Sequence, residues 1–177
     1  MKTVENTAYY ITTALIFILM RVGFWLAGDN DLVFLLKPTD KLVGLLTGSH
    51  SVFIENVGYF HEKLNISIGK YCSGFNFLML SYLVFAWLGV KYFNKPFRKF
   101  LNIPIALIFA CLLAVFVNAS RIIASIALQN RIQFFFPGRL TLIHETVGII
   151  TELTFLVLAY CLIENFLKQR GCHAKPA

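Results

Sequence analysis

Four stretches of this chain are apolar enough and long enough to cross a lipid bilayer. They cover residues 8–27, 72–90, 101–128 and 146–167. Crossing the hydrocarbon core takes about 20 residues of helix, because each residue advances about 1.5 Å. A soluble domain of 177 residues could not bury a composition that is 58% hydrophobic, with a mean hydropathy of +0.70. The sequence therefore predicts an all-α integral membrane protein with about four spanning helices.

Residues 28–70 separate the first two spanning segments and contain no run that is long enough to span. The short apolar runs 32–36 and 42–46 lie on either side of Pro38 and predict interfacial or re-entrant helices. The run at 52–54 and the alternation at 65–68 are compatible with short extended segments. We expect a single membrane domain over residues 1–177, with 28–70 as an extracytoplasmic or interfacial insert and 72–167 as the functional core.

The net charge of +7 is concentrated beside the apolar runs. Basic residues next to spanning helices favour the cytoplasmic side and predict membrane orientation, so we expect no nucleic-acid partner. The loop at 91–100 and the tail after 167 should then be cytoplasmic, with four spans and both termini inside. The basic residues that carry this prediction are Lys91, Lys95, Arg98, Lys99, Lys168, Arg170 and Lys175.

Cys72 differs in position from the other three cysteines. It lies where the polar segment 61–65 gives way to the second spanning run, whereas Cys111 and Cys161 lie in the middle of apolar runs. A helix start favours thiolate over thiol, which is how a cysteine becomes a nucleophile. A lone cysteine is more often a small buried thiol. The four cysteines, which include Cys172, show no CxxC spacing, so we predict no disulfide framework, no metal site and no cofactor.

Three chemically active residues are predicted to reach the outer membrane face. Cys72 begins the second span, Arg121 lies roughly 30 Å along the third at the helical rise, and His144 precedes the fourth. Such a set suits acyl transfer through a thioester, with a cysteine nucleophile, a histidine acid/base and an arginine that stabilises the oxyanion.

Two further polar residues belong to this prediction. Asn118 lies three residues before Arg121, on the same helical face, and is placed to orient it. Glu152 lies inside the fourth span, where we interpret it as a buried counter-ion for Arg21 or Arg121.

The motifs around these residues resemble those of a known family. Cys72-Ser73-Gly74, residues 118–122 (NASRI) and residues 144–148 (HETVG) are similar to the Cys, Arg and His motifs of the exosortase/archaeosortase family, in that order. The resemblance covers residues 70–165, and the shortness of the chain is most like the compact subclass called exosortase K. It implies a membrane cysteine protease or transpeptidase, with Cys72 as nucleophile, His144 as acid/base and Arg121 as transition-state stabiliser.

The resemblance also implies a substrate class. Its members are thought to cleave C-terminal sorting signals and to transfer the new carboxyl end to an acceptor. A site at the outer membrane surface would itself favour clients tethered by a C-terminal apolar helix and a basic tail, since confinement raises their effective concentration. The sorting motif, the acceptor nucleophile and the oligomeric state remain open at this point.

Two other classes of protein are compatible with the same sequence. A non-enzymatic membrane scaffold would use Arg121 and Glu152 as structural polar groups. A small transporter would use Arg121 to bind an anion, but the chain shows no internal repeat. A thiol oxidoreductase is disfavoured, because no second cysteine lies near Cys72 in the sequence.

Overall fold

The computed structural model describes the backbone of residues 2–132 and 140–172, and the side chains of residues 6–128 and 145–169. Helices dominate this part of the chain. The order of elements is α1 (Lys2–Leu26), α2 (Val33–Thr47), β1 (Ser51–Ile54), β2 (Gly58–His61), β3 (Ile66–Ile68), α3 (Phe75–Tyr92), α4 (Pro96–Ile132) and α5 (Leu140–Cys172). Short 3-10 helices lie at Asn30–Leu32, Glu62–Leu64 and Lys70–Cys72.

Helices α1, α3, α4 and α5 are long and apolar enough to cross a membrane, which confirms the predicted fold class and its four spanning helices. Their ends differ from the sequence prediction. Helix α4 begins at Pro96, so the basic loop contains only residues 93–95 and not the predicted 91–100. Proline is favoured at the first helical position, where its missing N–H would be unpaired anyway. Helix α3 begins at Phe75 and not at Cys72.

The outer surfaces of these helices require an apolar environment. The apolar windows of α1 and α5 are each only 6% buried, whereas that of α3 is 72% buried against other segments. Large side chains such as Trp25 and Leu162 are 78% and 70% exposed. Water does not tolerate so much contiguous apolar surface, and lipid does. The chain is therefore membrane-associated through these helices.

Helix α2 is one continuous helix, which corrects the prediction of two short helices separated by Pro38. Pro38 lies inside it, close to its N-terminal end, so the proline removes one backbone hydrogen bond. The apolar face carrying Leu35, Leu36 and Val43 is fully buried. Burial of this face offsets the lost hydrogen bond, and Gly48 then ends the helix in the left-handed conformation with φ +65°.

The insert also contains a three-stranded antiparallel sheet in the order β1-β2-β3. Strands β1 and β3 occupy the segments predicted to be extended, while β2 was not predicted. Val52 pairs with Phe60, and Phe60 pairs with Ser67. The β1–β2 turn contains Asn56 with φ +61°, and Gly58 follows with φ +91°. A side chain at Gly58 would collide with the backbone of Ile68, so this position requires glycine.

The chain groups into two compact units, and α3, α4 and α5 supply residues to both. Unit 1 comprises Met1–Leu26, Asn76–Leu112 and Leu156–Ala177, and unit 2 comprises Ala27–Phe75 and Leu113–Phe155. The candidate site residues with described side chains all belong to unit 2. The prediction of one membrane domain with a 28–70 insert and a 72–167 core stays a prediction.

Polar contacts gather several basic segments at one end of unit 1. The Tyr9 hydroxyl donates to the carbonyl of Pro96 at 3.3 Å, which ties the start of α1 to the start of α4. At the end of α3, the Tyr92 hydroxyl donates to Glu164 of α5 at 2.8 Å, and Lys91 lies 3.4 Å from the same carboxylate. The α3–α4 loop and the last turns of α5 are thereby held at the same end.

Candidate active site at Cys72

Cys72 closes a short 3-10 helix, Lys70–Cys72, at the start of the second candidate span, Lys70–Tyr92, whose α-helical part begins at Phe75. Its N–H donates to the carbonyl of Gly69 at 2.9 Å. Two residues then separate it from Phe75, where α3 starts. The first residue of α3 is therefore Phe75, three residues later than the predicted start at Cys72. The thiol lies before the helix terminus, partly exposed and free of any disulfide.

Ser73 and Gly74 form the junction between Cys72 and α3. The Ser73 side chain is 1% exposed, and its Oγ accepts a 3.4 Å hydrogen bond from the N–H of Phe75. It thus takes up one of the N–H groups that a helix start leaves unpaired. Gly74 has φ +73°, a left-handed conformation that turns the chain sharply into the helix. The two residues after the cysteine therefore fix its position relative to α3.

Asn118 of α4 holds the backbone of Cys72. Its side chain is only 2% exposed, and its Nδ2 donates to the carbonyl oxygen of Cys72 at 2.5 Å. A Cβ on Gly74 would lie 2.9 Å from the Cβ of Asn118, so the absence of a side chain at Gly74 permits this approach. The sequence predicted that Asn118 orients Arg121. In the structure it binds Cys72, and it joins the first motif to the second.

Arg121 is paired with Glu152. This is one of the two ion pairs that the sequence predicted for Glu152, the other being with Arg21. Its Nη1 lies 2.8 Å from Oε1 of Glu152, and the two side chains are 15% and 24% exposed. Gly148 gives the guanidinium room on α5, since a Cβ there would lie 3.0 Å from Nε of Arg121. The other predicted partner, Arg21, instead donates to Asn76 at 3.5 Å. The buried Nε of Arg121 has no hydrogen-bond acceptor among the described residues.

His144 lies within α5, one helical turn before Gly148 in register. The sequence placed it just before the fourth spanning helix, but α5 begins earlier, at Leu140. Its side chain lies outside the described residues, so its role as acid/base stays a prediction.

A cleft of about 330 Å³ opens beside Cys72. The insert builds most of it, from residues that the sequence analysis did not select, because nothing distinguishes them from other polar residues in a loop. The carboxylate of Asp29 accepts a 2.6 Å hydrogen bond from the N–H of Lys70, and the ammonium of Lys70 donates to the carbonyl of Ala27 at 2.6 Å. These bonds anchor the segment that ends at Cys72. The lining is completed by Asn56, Val57, Ser67, Gly69 and Tyr71.

The described contacts form two groups of predicted site residues. One group contains Cys72, Ser73, Gly74 and Asn118, and the other contains Arg121 with Glu152. Asn118 and Arg121 lie three residues apart on α4, about 4.5 Å along its axis, so one helix face links the two groups. Among the described side chains, the thiol and the guanidinium share no direct hydrogen bond.

No protein-family model, curated protein or solved structure matches this chain. The site combines a free, partly exposed thiol at the wall of a polar cleft with a buried amide of α4 that fixes the thiol's backbone. It also contains a guanidinium on α4 whose Nε–H has no acceptor among the described residues.

Proposed function

We propose that this protein is a membrane-embedded cysteine peptidase or transpeptidase of the exosortase type, which cleaves C-terminal sorting signals of membrane-tethered exported proteins. The observation that best supports this proposal is the hydrogen bond from Asn118 to the carbonyl of Cys72. It connects two motifs that lie 46 residues apart in sequence. A solitary structural thiol would not require its backbone to be held by a buried amide from another spanning helix.

In the proposed reaction, Sγ of Cys72 attacks the carbonyl carbon of the scissile peptide bond. His144 takes the proton of the thiol during this attack and passes it to the amine when the carbon–nitrogen bond breaks, and the acyl group remains on Cys72 as a thioester. An acceptor nucleophile, or water, then attacks the thioester. The attacking group loses its proton to His144, the carbon–sulfur bond breaks, and His144 returns that proton to the sulfur, which restores the Cys72 thiol.

Arg121 is suited to the transient negative charge of this reaction. Glu152 holds one end of the guanidinium at 2.8 Å, while Nε–H has no acceptor among the described residues. A buried donor without a partner costs free energy in the resting protein, and that cost is relieved when an oxyanion arrives. Such an interaction is stronger in the transition state than in the ground state, which is the condition for catalysis.

The proposed location is the cell inner membrane, with the active site on the extracytoplasmic side and both termini in the cytoplasm. Its support is the arrangement of charge. Lys91, next to the α3–α4 loop, and Lys168, near the end of α5, both lie 3.4 Å from Glu164, so the basic segments share one end of unit 1. Basic residues favour the cytoplasmic face, so that end should be inside.

The proposed substrates are proteins already tethered by a C-terminal apolar helix followed by a basic tail. Confinement in the bilayer raises the effective concentration of such a client at a membrane site. The cleft beside Cys72 has polar walls, supplied by groups such as Ser67 and Lys70, and would receive the polar segment just outside the client's helix.

The experiment compares membrane proteomes of cells with the wild-type protein and with Cys72→Ala. Uncleaved proteins that carry a C-terminal apolar helix and basic tail should accumulate in the mutant. A thioester trapped on Cys72 in the wild type, identified by mass spectrometry of the adduct, would name the acyl group. Accumulation of soluble proteins, or of proteins cut at their N-termini, would contradict the sorting function.

The Arg121–Glu152 ion pair also supports a second candidate, a non-enzymatic scaffold in which both residues hold α4 and α5 together. In that case Cys72→Ala leaves every client unchanged, whereas Glu152→Gln still lowers the stability of the protein. The two substitutions together therefore distinguish the candidates.

A further inference from the structure

A groove of about 300 Å³ lies within unit 1 and is lined by residues of α3, α4 and α5. Its lining is aromatic and aliphatic, as Phe85 on α3 and Ile163 on α5 illustrate. Asn102 is the one polar side chain among the described residues that line it, and its amide donates to the carbonyl of Ala86 at 3.2 Å. The groove is therefore apolar, and it shares no lining residue with the Cys72 cleft.

The groove follows the axes of the spanning helices. Along α3 its lining runs from Phe85 to Phe93, eight residues that cover about 12 Å at the helical rise. Along α4 it runs from Asn102 to Phe109, which is about 10 Å. Phe93 and Leu167 mark the end that lies beside the α3–α4 loop and the last turns of α5. From that end the groove extends toward the hydrocarbon core, which is the direction that a lipid chain takes.

Contacts between the helices hold the walls of the groove in place. A side chain at Gly89 of α3 would collide with the amide of Asn102 on α4, so glycine permits the close approach of these two helices. Helix α5 is attached to the end of α3 by the hydrogen bond from Tyr92 to Glu164. All three helices are thereby connected, and the groove has fixed walls.

Four basic side chains are exposed around the Phe93 end of the groove: Lys91, Lys95, Arg98 and Lys168. Among the described residues of unit 1, Glu164 is the only acid. Lys91 and Lys168 share its carboxylate, each at 3.4 Å. Lys95 and Arg98 form no ion pair with any described residue. This end of unit 1 therefore carries uncompensated positive charge.

Arg98 lies on the face of α4 that lines the groove. It precedes Asn102 by four residues and Ala106 by eight, a spacing that returns to one helix face. About 6 Å along the helix axis separate Arg98 from Asn102, so a group bound by Arg98 would lie next to the end of the groove. A guanidinium is permanently charged and binds phosphate through two parallel hydrogen bonds.

We propose that unit 1 binds one anionic phospholipid, with an acyl chain in the groove and the phosphate at Arg98. The groove alone gives a lipid little preference for this place, because the surrounding bilayer is equally apolar. The headgroup supplies the preference, since Lys and Arg beside spanning helices attract anionic lipids. Charge also disfavours two other occupants. The basic tail of a client and the same basic end of a second copy would both be repelled.

The test uses the full-length protein in detergent and counts bound lipids by native mass spectrometry. Phosphatidylglycerol and phosphatidylcholine with the same acyl chains are added separately. We expect one phosphatidylglycerol per chain to bind about 5- to 10-fold more tightly than phosphatidylcholine, and this preference should decrease as salt is raised. Arg98→Gln should weaken phosphatidylglycerol binding about fivefold and leave phosphatidylcholine binding unchanged. Lys37→Gln, at an exposed lysine of unit 2, is the control and should change neither.

Filling the groove should displace the acyl chain. Ile163→Trp should weaken phosphatidylglycerol binding by about tenfold or more, because the larger side chain takes up the space. Leu162→Trp is the matched control, since Leu162 is the neighbouring residue on α5 but is 70% exposed and does not line the groove. Cys72→Ala should bind the lipid like the parent protein, so this measurement is independent of the proposed peptidase function.

A photoreactive amino acid at position 167 identifies the occupant in cell membranes, even if Ile163→Trp fails to fold. Crosslinks to anionic phospholipid beyond its share of the membrane support the proposal. Crosslinks to lipids in bulk proportion, to a second copy or to another protein overturn it. The proposal is also overturned if the two lipids bind equally well, or if Leu162→Trp weakens binding as much as Ile163→Trp.

Discussion

Asn118 Nδ2 donates to the carbonyl oxygen of Cys72 across 2.5 Å, so a buried amide of α4 fixes the backbone of the residue that lies three positions before the start of α3. This contact couples the second spanning segment to the third within unit 2. It also fixes the position of the backbone that carries the Cys72 thiol.

Asn118→Ala should destabilise the protein by about 1–3 kcal/mol, because it removes a buried hydrogen bond and leaves the Cys72 carbonyl without this donor. It should also change the rate at which iodoacetamide alkylates Cys72. Both can be measured on purified protein, the first by thermal unfolding in detergent. Ser120→Ala is the control, because this half-buried hydroxyl donates only to the carbonyl of Phe116 on its own helix among the described contacts, and it should change neither quantity. Equal effects of the two substitutions would argue against the contact.

Gly74→Ala should be one of the most damaging alanine substitutions in unit 2. Its φ of +73° disfavours any side chain, and the new Cβ would lie 2.9 Å from Asn118. We expect a loss of stability of about 1–3 kcal/mol, from backbone strain together with displacement of Asn118. Gly23→Ala in α1 is the control, because nothing lies within 4 Å of that position, and it should be neutral or stabilising. A tolerated Gly74→Ala would mean that the turn into α3 differs from the one described.

Glu152→Gln and Arg121→Lys separate structure from chemistry. Removing one member of a largely buried ion pair leaves the other charge unpaired, and Glu152→Gln should cost about 3 kcal/mol, with remaining solvent exposure keeping the value from being larger. Arg121→Lys keeps the positive charge but loses the planar guanidinium, which can donate two parallel hydrogen bonds. Most of the client-processing activity should therefore be lost, while the protein still accumulates in the membrane. Thr154→Ala on α5 is the control for both measurements. Normal processing by Arg121→Lys would assign Arg121 to packing or topology.

Only Cys72 should be required for processing among the four cysteines. Cys111 and Cys161 lie within α4 and α5 and are not among the residues that line the cleft, and Cys172 ends α5. Cys72→Ala and Cys72→Ser should abolish processing, while alanine at each of the other three positions should preserve it. Client cleavage followed by immunoblotting measures this. Full activity of Cys72→Ala would falsify the thioester mechanism.

The membrane arrangement predicts opposite accessibility for two loops. A cysteine introduced beside Lys95, in a chain lacking other reactive thiols, should react with an impermeant reagent only from the cytoplasmic side. A cysteine introduced beside Pro137 should react only from the outside, because one span separates the two positions. Labelling of both from the same side would contradict the four-span topology.

The spanning helices could be predicted from sequence because lipid imposes a constraint that is local in the chain. Each span must satisfy its own backbone hydrogen bonds and present about 20 apolar residues, so its length and composition identify it. The ends of the helices were predicted less accurately, since α4 starts at Pro96 and not at residue 101, and α3 starts at Phe75 and not at residue 72. Helix ends depend on single contacts, such as the hydrogen bond that Ser73 accepts from Phe75. The role of Glu152 as a counter-ion could also be predicted from the sequence, because a charge inside a span requires a partner.

The sequence by itself determined a membrane protein with four apolar helices. It also singled out Cys72, Asn118, Arg121 and His144 as polar residues near the outer membrane face and Glu152 as a charged residue inside a span. Only the tertiary structure decided that Asn118 binds Cys72, that Glu152 pairs with Arg121 and not Arg21, and that the insert builds the cleft. It also brought His61 to Asp40 across 21 residues of chain. Such contacts join residues of no fixed spacing and depend on how strands and helices pack, so periodicity and composition carry no record of them.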